Sequence, residues 1–151
     1  MKNVNTLYKT SAVLWIIWGL VHIMAGVFTV NFIVSGDISG SISGIADAVD
    51  PSIIQMVYPD AAGAIIGQHG FNLLWIGIAT FVSAFFIWKG NKNAIFLAAI
   101  TGGLADLGYF IFLDLGRFVK FVPGSIMTIV SSLAIVLSFY AYFKTKKSAT
   151  T

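Results

Sequence analysis

With 151 residues, 58% of them hydrophobic and 10% charged, the chain has too little polar surface to clothe a water-soluble domain around a single core. It has no cysteine, and its six acidic residues are all aspartates, so disulfides, thiolate metal sites and thiol catalysis are excluded. The formal net charge of +3 would by itself point to an acidic partner, but the positions of the charges point to a bilayer.

Crossing the roughly 30 Å hydrocarbon core takes about 20 apolar residues in a helix, and four stretches meet that length. The first covers about 11–34. The connection 35–59 follows, with glycines at Gly36, Gly40 and Gly44 that suit either a flexible loop or a short helix. Ile38, Ile42, Ile45 and Val49 share one helix face and Asp37 offers an N-cap, which favours the helix. A second helical start is read at Asp50-Pro51, carrying Ile53, Ile54 and Val57. Together the two pieces predict an interfacial lid over the bundle. The second span, 60–88, starts after Pro59, with Asp60 favoured at a helix N-terminus. A later start near Ile66 is the alternative. After the turn Lys89-Gly90-Asn91-Lys92 come a third span, 93–113, and a fourth, 122–143. The expected fold is all-α: an integral membrane bundle of four transmembrane helices forming one domain over 1–151, with a short helical or lid-like outer loop.

Orientation follows from the lysines. Lys2, Lys9, Lys89, Lys92, Lys144, Lys146 and Lys147 fall on one side of a four-pass topology. Asp37, Asp47, Asp50, Asp60 and Asp114 fall on the other, with only Arg117 and Lys120. This is the positive-inside pattern with both termini cytoplasmic, as for a cell (inner) membrane protein. Ala46-Asp47-Ala48 has the form of a signal-peptide cleavage site, but it lies too far beyond an apolar run that is itself too long.

One residue breaks the apolar pattern. Asp106 sits within the third span, where a carboxylate costs roughly 2.5 to 3.5 kcal/mol even on the lenient insertion scale, so it marks a candidate site whose partners must be found. At about 1.5 Å per residue, His22, His69 and Asp106 all fall some 12–16 Å below the outer surface, provided that the second helix begins at Asp60. Gln68, Asn72 and Tyr109 lie within a turn of that layer. Ala94, Ala98, Gly102 and Asp106 form one i, i+4 row, and Gly19 and Gly26 flank His22, so both ionisable residues lie on small-residue packing faces. Trp15 and Trp18 precede His22 and are read chiefly as packing, with Trp18 also a candidate ligand contact. Ser125, Thr128 and Ser132 give the fourth span a hydroxyl face. The expectation is a pocket open to the outside and sealed towards the cytoplasm. At its mouth, Arg117 and Lys120 precede a helix N-terminus, an arrangement that suits an anionic head group. Pairing of Arg117 with Asp114 competes with that reading.

Three classes of function use these residues differently. In the first, the pocket binds a small amphipathic or lipid-like ligand, with Asp106 and His22 as an acid–base pair, His69 as a second proton carrier, and Gln68, Asn72, Tyr109, Trp18, Arg117, Ser125 and Thr128 as binding residues. In the second, His22 and His69 are axial ligands of a haem b, with room made by Gly67 and Gly70, or His22, His69 and Asp106 hold a divalent metal as two histidines and one carboxylate. In the third, the buried polar groups only specify packing, in a scaffold or accessory subunit. Expected partners are the lipid bilayer, a small amphipathic ligand, and either a second copy of the chain or another membrane subunit. P-loop, dinucleotide-binding and nucleic-acid signatures are absent from the sequence.

Overall fold

The computed structural model describes residues 2–45, 49, 51–55 and 57–148. Asp50 and the Ala46-Asp47-Ala48 segment lie outside the described residues. In chain order the elements are α1 (Lys2–Val34), α2 (Ile38–Ile45), a 3-10 turn (Pro51–Ile53), α3 (Asp60–Trp88), α4 (Lys92–Tyr109) running into a π-helical turn (Phe110–Asp114), α5 (Phe121–Gly124) and α6 (Ile126–Ser148). Among the described residues there is no strand, only an isolated antiparallel bridge between Val49 and Val119. Four helices are long and apolar enough to cross a membrane: Asn3–Val34, Asp60–Trp88, Lys92–Asp114 and Ile126–Lys146.

Three boundaries differ from the sequence reading. The first helix starts at Lys2 instead of about Ser11. Its polar first turns are anchored by Tyr8, which is buried and whose hydroxyl lies 3.4 Å from that of Thr145 on α6. The piece after position 50 is one 3-10 turn and not a helix, and Ile53 and Val57 are exposed. The fourth span is broken at its start, where Val122 is extended (φ −116°, ψ 122°). The residue before a proline is pushed out of the helical region, and Val122 precedes Pro123. The helix resumes at Ile126 and continues past 143 to Ser148.

Helices dissolved in lipid gain little from hydrophobic exclusion, so they associate where small residues let backbones meet. The α1–α3 interface is built that way. A Cβ on Gly26 would lie 2.5 Å from the Leu74 nitrogen and 2.7 Å from the Gly70 carbonyl oxygen, and one on Gly19 would lie 2.9 Å from the Gly77 oxygen. On the other side of the contact, a Cβ on Gly70 would meet the Thr29 side chain at 2.6 Å. The row Ala94, Ala98, Gly102 and Asp106 is buried along its length, as its spacing predicts. Trp15 packs on Gly102, where a Cβ would meet its ring at 2.6 Å.

The two ends of the bundle differ. At one end Lys9 lies over the Trp88 ring, 5.3 Å from its centroid, and Tyr8 reaches Thr145, so the start of α1, the end of α3 and the end of α6 come together. Asn91 caps α4 there, accepting from the Asn93 and Ala94 nitrogens at 2.9 and 3.2 Å. From this end towards the middle the interior is filled by Ala12, Trp15, Trp18, Ile87, Ile95 and Ala98. At the other end α2 lies across α1 and α3. Asp37 caps it by accepting from the Gly40 nitrogen at 2.7 Å, Ser41 donates to the Thr29 carbonyl at 3.4 Å, and Ile38 abuts Gly63. Between this end and the packed interior the helices part around a cavity.

Candidate functional site

The helix-start question decides the site. Because α3 begins at Asp60, His69 lies about 13 Å along it at roughly 1.5 Å per residue, level with His22 on α1 and Asp106 on α4. All three border one cavity of about 830 Å³, within the usual range of ligand pockets. Asn72, Tyr109 and Thr128 line it as well, Val21, Ile76, Leu104 and Met127 supply apolar wall, and Ile42 and Val49 reach it from the 35–59 connection.

Asp106 is the most constrained group. It is 4% exposed, and its Oδ2 accepts a hydrogen bond of 2.6 Å from Trp18 Nε1. Oδ1 lies 3.8 Å from His22 Nε2. The Ser131 hydroxyl of α6 donates to the Thr128 carbonyl at 3.1 Å. His22 is fixed in turn. Its ring stacks on Trp18 with centroids 3.5 Å apart and planes at 16°, and its Nδ1 lies 2.9 Å from the Trp18 carbonyl oxygen. A carbonyl oxygen only accepts, so Nδ1 carries a proton, and the other nitrogen then faces the carboxylate. At 3.8 Å the two groups are not hydrogen-bonded to each other but stand close enough for one ligand atom or water to bridge them.

Trp18 follows its packing assignment in being fully buried, but it does not line the cavity. It orients both members of the pair, a role the sequence reading missed. The signal was available, since Trp18 precedes His22 by four residues and so shares its helix face. Asn72 accepts from Trp75 Nε1 at 3.0 Å, which leaves its amide hydrogens for the cavity. The Tyr109 and Thr128 hydroxyls are buried without a hydrogen-bond partner among the described residues.

Other expected residues lie elsewhere. Gln68 is exposed and does not border the cavity. Ser125 is buried and its hydroxyl lacks a partner, but it is not part of the lining. Arg117 and Lys120 are exposed and away from the cavity, with Arg117 in a left-handed turn at φ 61°. The cationic mouth expected there does not form. Nor does Arg117 neutralise Asp114, which is 7% exposed with neither carboxylate oxygen hydrogen-bonded among the described residues. Asp114 had been placed with the outer charges. It lies at the end of the π-helical turn and is buried there.

The cofactor readings fit poorly. Both ring nitrogens of His22 are directed at protein groups, so an axial bond to haem would require the ring to leave Trp18 and Asp106. Gly70 is filled by contact with Thr29, and Gly67 faces Ile33, so these glycines serve helix packing and not a porphyrin. Among the described residues no group of three histidine or carboxylate side chains is arranged to hold a metal ion, so the geometry gives no support to a site made of His22, His69 and Asp106. Comparisons of the chain with protein-family models, with curated proteins and with solved structures found no match.

Proposed function

We propose that the chain is a multi-pass protein of the cell (inner) membrane, with both termini cytoplasmic, that binds an uncharged amphipathic ligand in a pocket opening to the outer leaflet. In this reading the helix Ile38–Ile45 is a lid lying in the membrane interface, with Ile42 turned to the ligand. The ligand's polar end meets the His22–Asp106 pair, and its apolar body lies along Val21, Ile76, Leu104 and Met127. His69, Asn72, Tyr109 and Thr128 supply further donors and acceptors around it.

The observation that carries the proposal is a carboxylate held between Trp18 and His22 on the wall of an apolar cavity. A charged group in such surroundings is costly unless it is used. No lysine or arginine lines the cavity, so an anionic head finds no counter-ion there, and the one carboxylate is already turned to Trp18 and His22, so a cationic head finds no free partner. The pair suits proton transfer to or from a carbonyl or hydroxyl of the ligand, with His69 as a second carrier.

A second reading is supported by the hydrogen bond from Trp18 to Asp106, which ties α1 to α4. In a scaffold subunit that bond would be the whole purpose of the carboxylate. Filling the cavity separates the two. Gly108 lines it with open space where a Cβ would stand, so Gly108→Phe occupies the cavity without touching Asp106. With protein in nanodiscs and a diazirine-bearing long-chain alcohol as photolabel, the pocket reading expects crosslinks at Leu73 and Ile76 that Gly108→Phe removes at unchanged thermal stability. Identical labelling of the two proteins would leave the scaffold reading.

A further inference from the structure

Asp106 borders a second cavity as well. A cleft of about 510 Å³ lies between α4 and α6, with Ala99, Gly103 and Leu107 on one wall and Ile135 on the other. Its polar groups are Asp106, Thr128, Ser131 and Ser132. The α4 residues follow the i, i+4, i+8 spacing of one face, and the α6 residues follow i, i+3, i+4, i+7, so the cleft runs along the groove between two helix faces. From Ala99 to Phe110 it extends about 16 Å at roughly 1.5 Å per residue. Asp106 and Thr128 are the residues common to both linings, which makes them the partition between the cavities.

We propose that this cleft is a second binding site, for an uncharged long-chain alcohol dissolved in the membrane, with its hydroxyl on Asp106 and the Thr128–Ser132 hydroxyls and its chain along Gly103 and Ala99. Charge complementarity selects the head. The site offers one carboxylate and three hydroxyls and no cation, so an O–H donor finds acceptors, whereas a carboxylate or phosphate head meets a like charge in a desolvated place. An ammonium head is not favoured either, because it would shed its water for a single carboxylate whose oxygens already face Trp18 and His22. The chain fits because the wall is apolar and Gly103 leaves its floor open, a Cβ there meeting only the flexible end of Ile135 at 2.9 Å. A molecule in this cleft and a ligand in the larger cavity would contact the same carboxylate from opposite sides. The inference rests on the membrane reading but not on occupancy of the larger cavity.

The test uses full-length protein in phosphatidylcholine nanodiscs and two photolabels of equal chain length, a diazirine-bearing long-chain alcohol and the matching fatty acid, with crosslinks mapped by peptide mass spectrometry. The alcohol is expected to label Ala99, Leu107 and Ile135 about tenfold or more above the acid, since an uncompensated charge in a span costs more than a factor of ten. Gly103→Leu is expected to remove that label while leaving labelling at Leu73 and Ile76 in the larger cavity unchanged. Ala99→Leu narrows the cleft from a different position and decides the matter should Gly103→Leu lower thermal stability. Equal labelling by alcohol and acid would mean that bulk lipid fills the cleft and would overturn the proposal. So would alcohol labelling that survives both variants. Loss of label at Leu73 and Ile76 alone, in Gly108→Phe, bears on the larger cavity and not on this one.

Discussion

Asp106 takes a hydrogen bond from Trp18 on one oxygen and faces His22 with the other, so two substitutions separate its structural role from its chemical one. Asp106→Asn keeps an acceptor for Trp18 but removes the carboxylate that faces His22. It is expected to retain thermal stability in detergent while binding of the long-chain alcohol weakens about tenfold, the loss of one strong hydrogen bond. Asp106→Leu leaves Trp18 Nε1 buried and unpaired, which costs about 1–3 kcal/mol. Equal melting temperatures for the two variants would contradict this division of roles. That Asp106 and His22 stand at one level of the bundle was legible in the sequence because helical rise is fixed. Which way a side chain points around the helix was less so, and Gln68 shows the limit. It shares a turn with His69 and Asn72, but about 100° of rotation per residue carries it out of the cavity. Asp114 lies at the end of the third long helix away from Lys92, as its position in the sequence implies, but its burial was not legible, because the π-helical turn that ends at it leaves no trace in the periodicity.

At the level of elements, the closest contacts belong to the glycines of α1 and α3. Gly26→Ala must push Leu74 and the Gly70 carbonyl away from a 2.5–2.7 Å approach, so it is expected to cost several times more stability than Gly108→Ala, where nothing stands within 4 Å. Thermal unfolding of the two variants checks this, and equal melting temperatures would mean that the interface is looser than described. The glycine positions were legible as small-residue faces, but their partners were not. The pairing of Gly26 with Gly70 depends on how α1 and α3 slide past each other, which neither sequence segment determines alone. The helix Ile38–Ile45 was legible from its spacing and its Asp37 cap. The piece after position 50 was overread: the turn ends at Ile53, and with Ile53 and Val57 exposed there is no buried face to extend it into a helix. The π-helical turn Phe110–Asp114 had no sequence signal that periodicity reveals, since it adds about one residue per turn without changing composition.

For the whole molecule, the ends of α1, α3 and α6 that meet around Tyr8, Lys9 and Thr145 carry the lysines. In the membrane reading that end is cytoplasmic. The chain lacks cysteine, so single cysteines report sidedness without background. Lys89→Cys is expected to react with an impermeant maleimide only from the cytoplasmic side, and Ser39→Cys only from outside. Reaction of both from one side would refute the four-pass orientation. The interior changes along the same axis, from packed tryptophan, alanine and isoleucine at the lysine end to a mostly apolar cavity with a few polar groups in its wall at the other. That gradient was legible in the order of residues along each span. The division of the polar region into two cavities sharing Asp106 was not, because it depends on the spacing between α4 and α6. The central claim is that the larger cavity holds an uncharged amphipathic molecule against Asp106. Native mass spectrometry of protein released from a mild detergent reads this directly. A noncovalent adduct is predicted on Gly103→Leu, in which the smaller cleft is closed, weakened when Asp106→Asn is added and lost when Gly108→Phe is added. A Gly103→Leu spectrum free of adduct after reconstitution with the long-chain alcohol, or an adduct equally retained once Gly108→Phe is added, would contradict it.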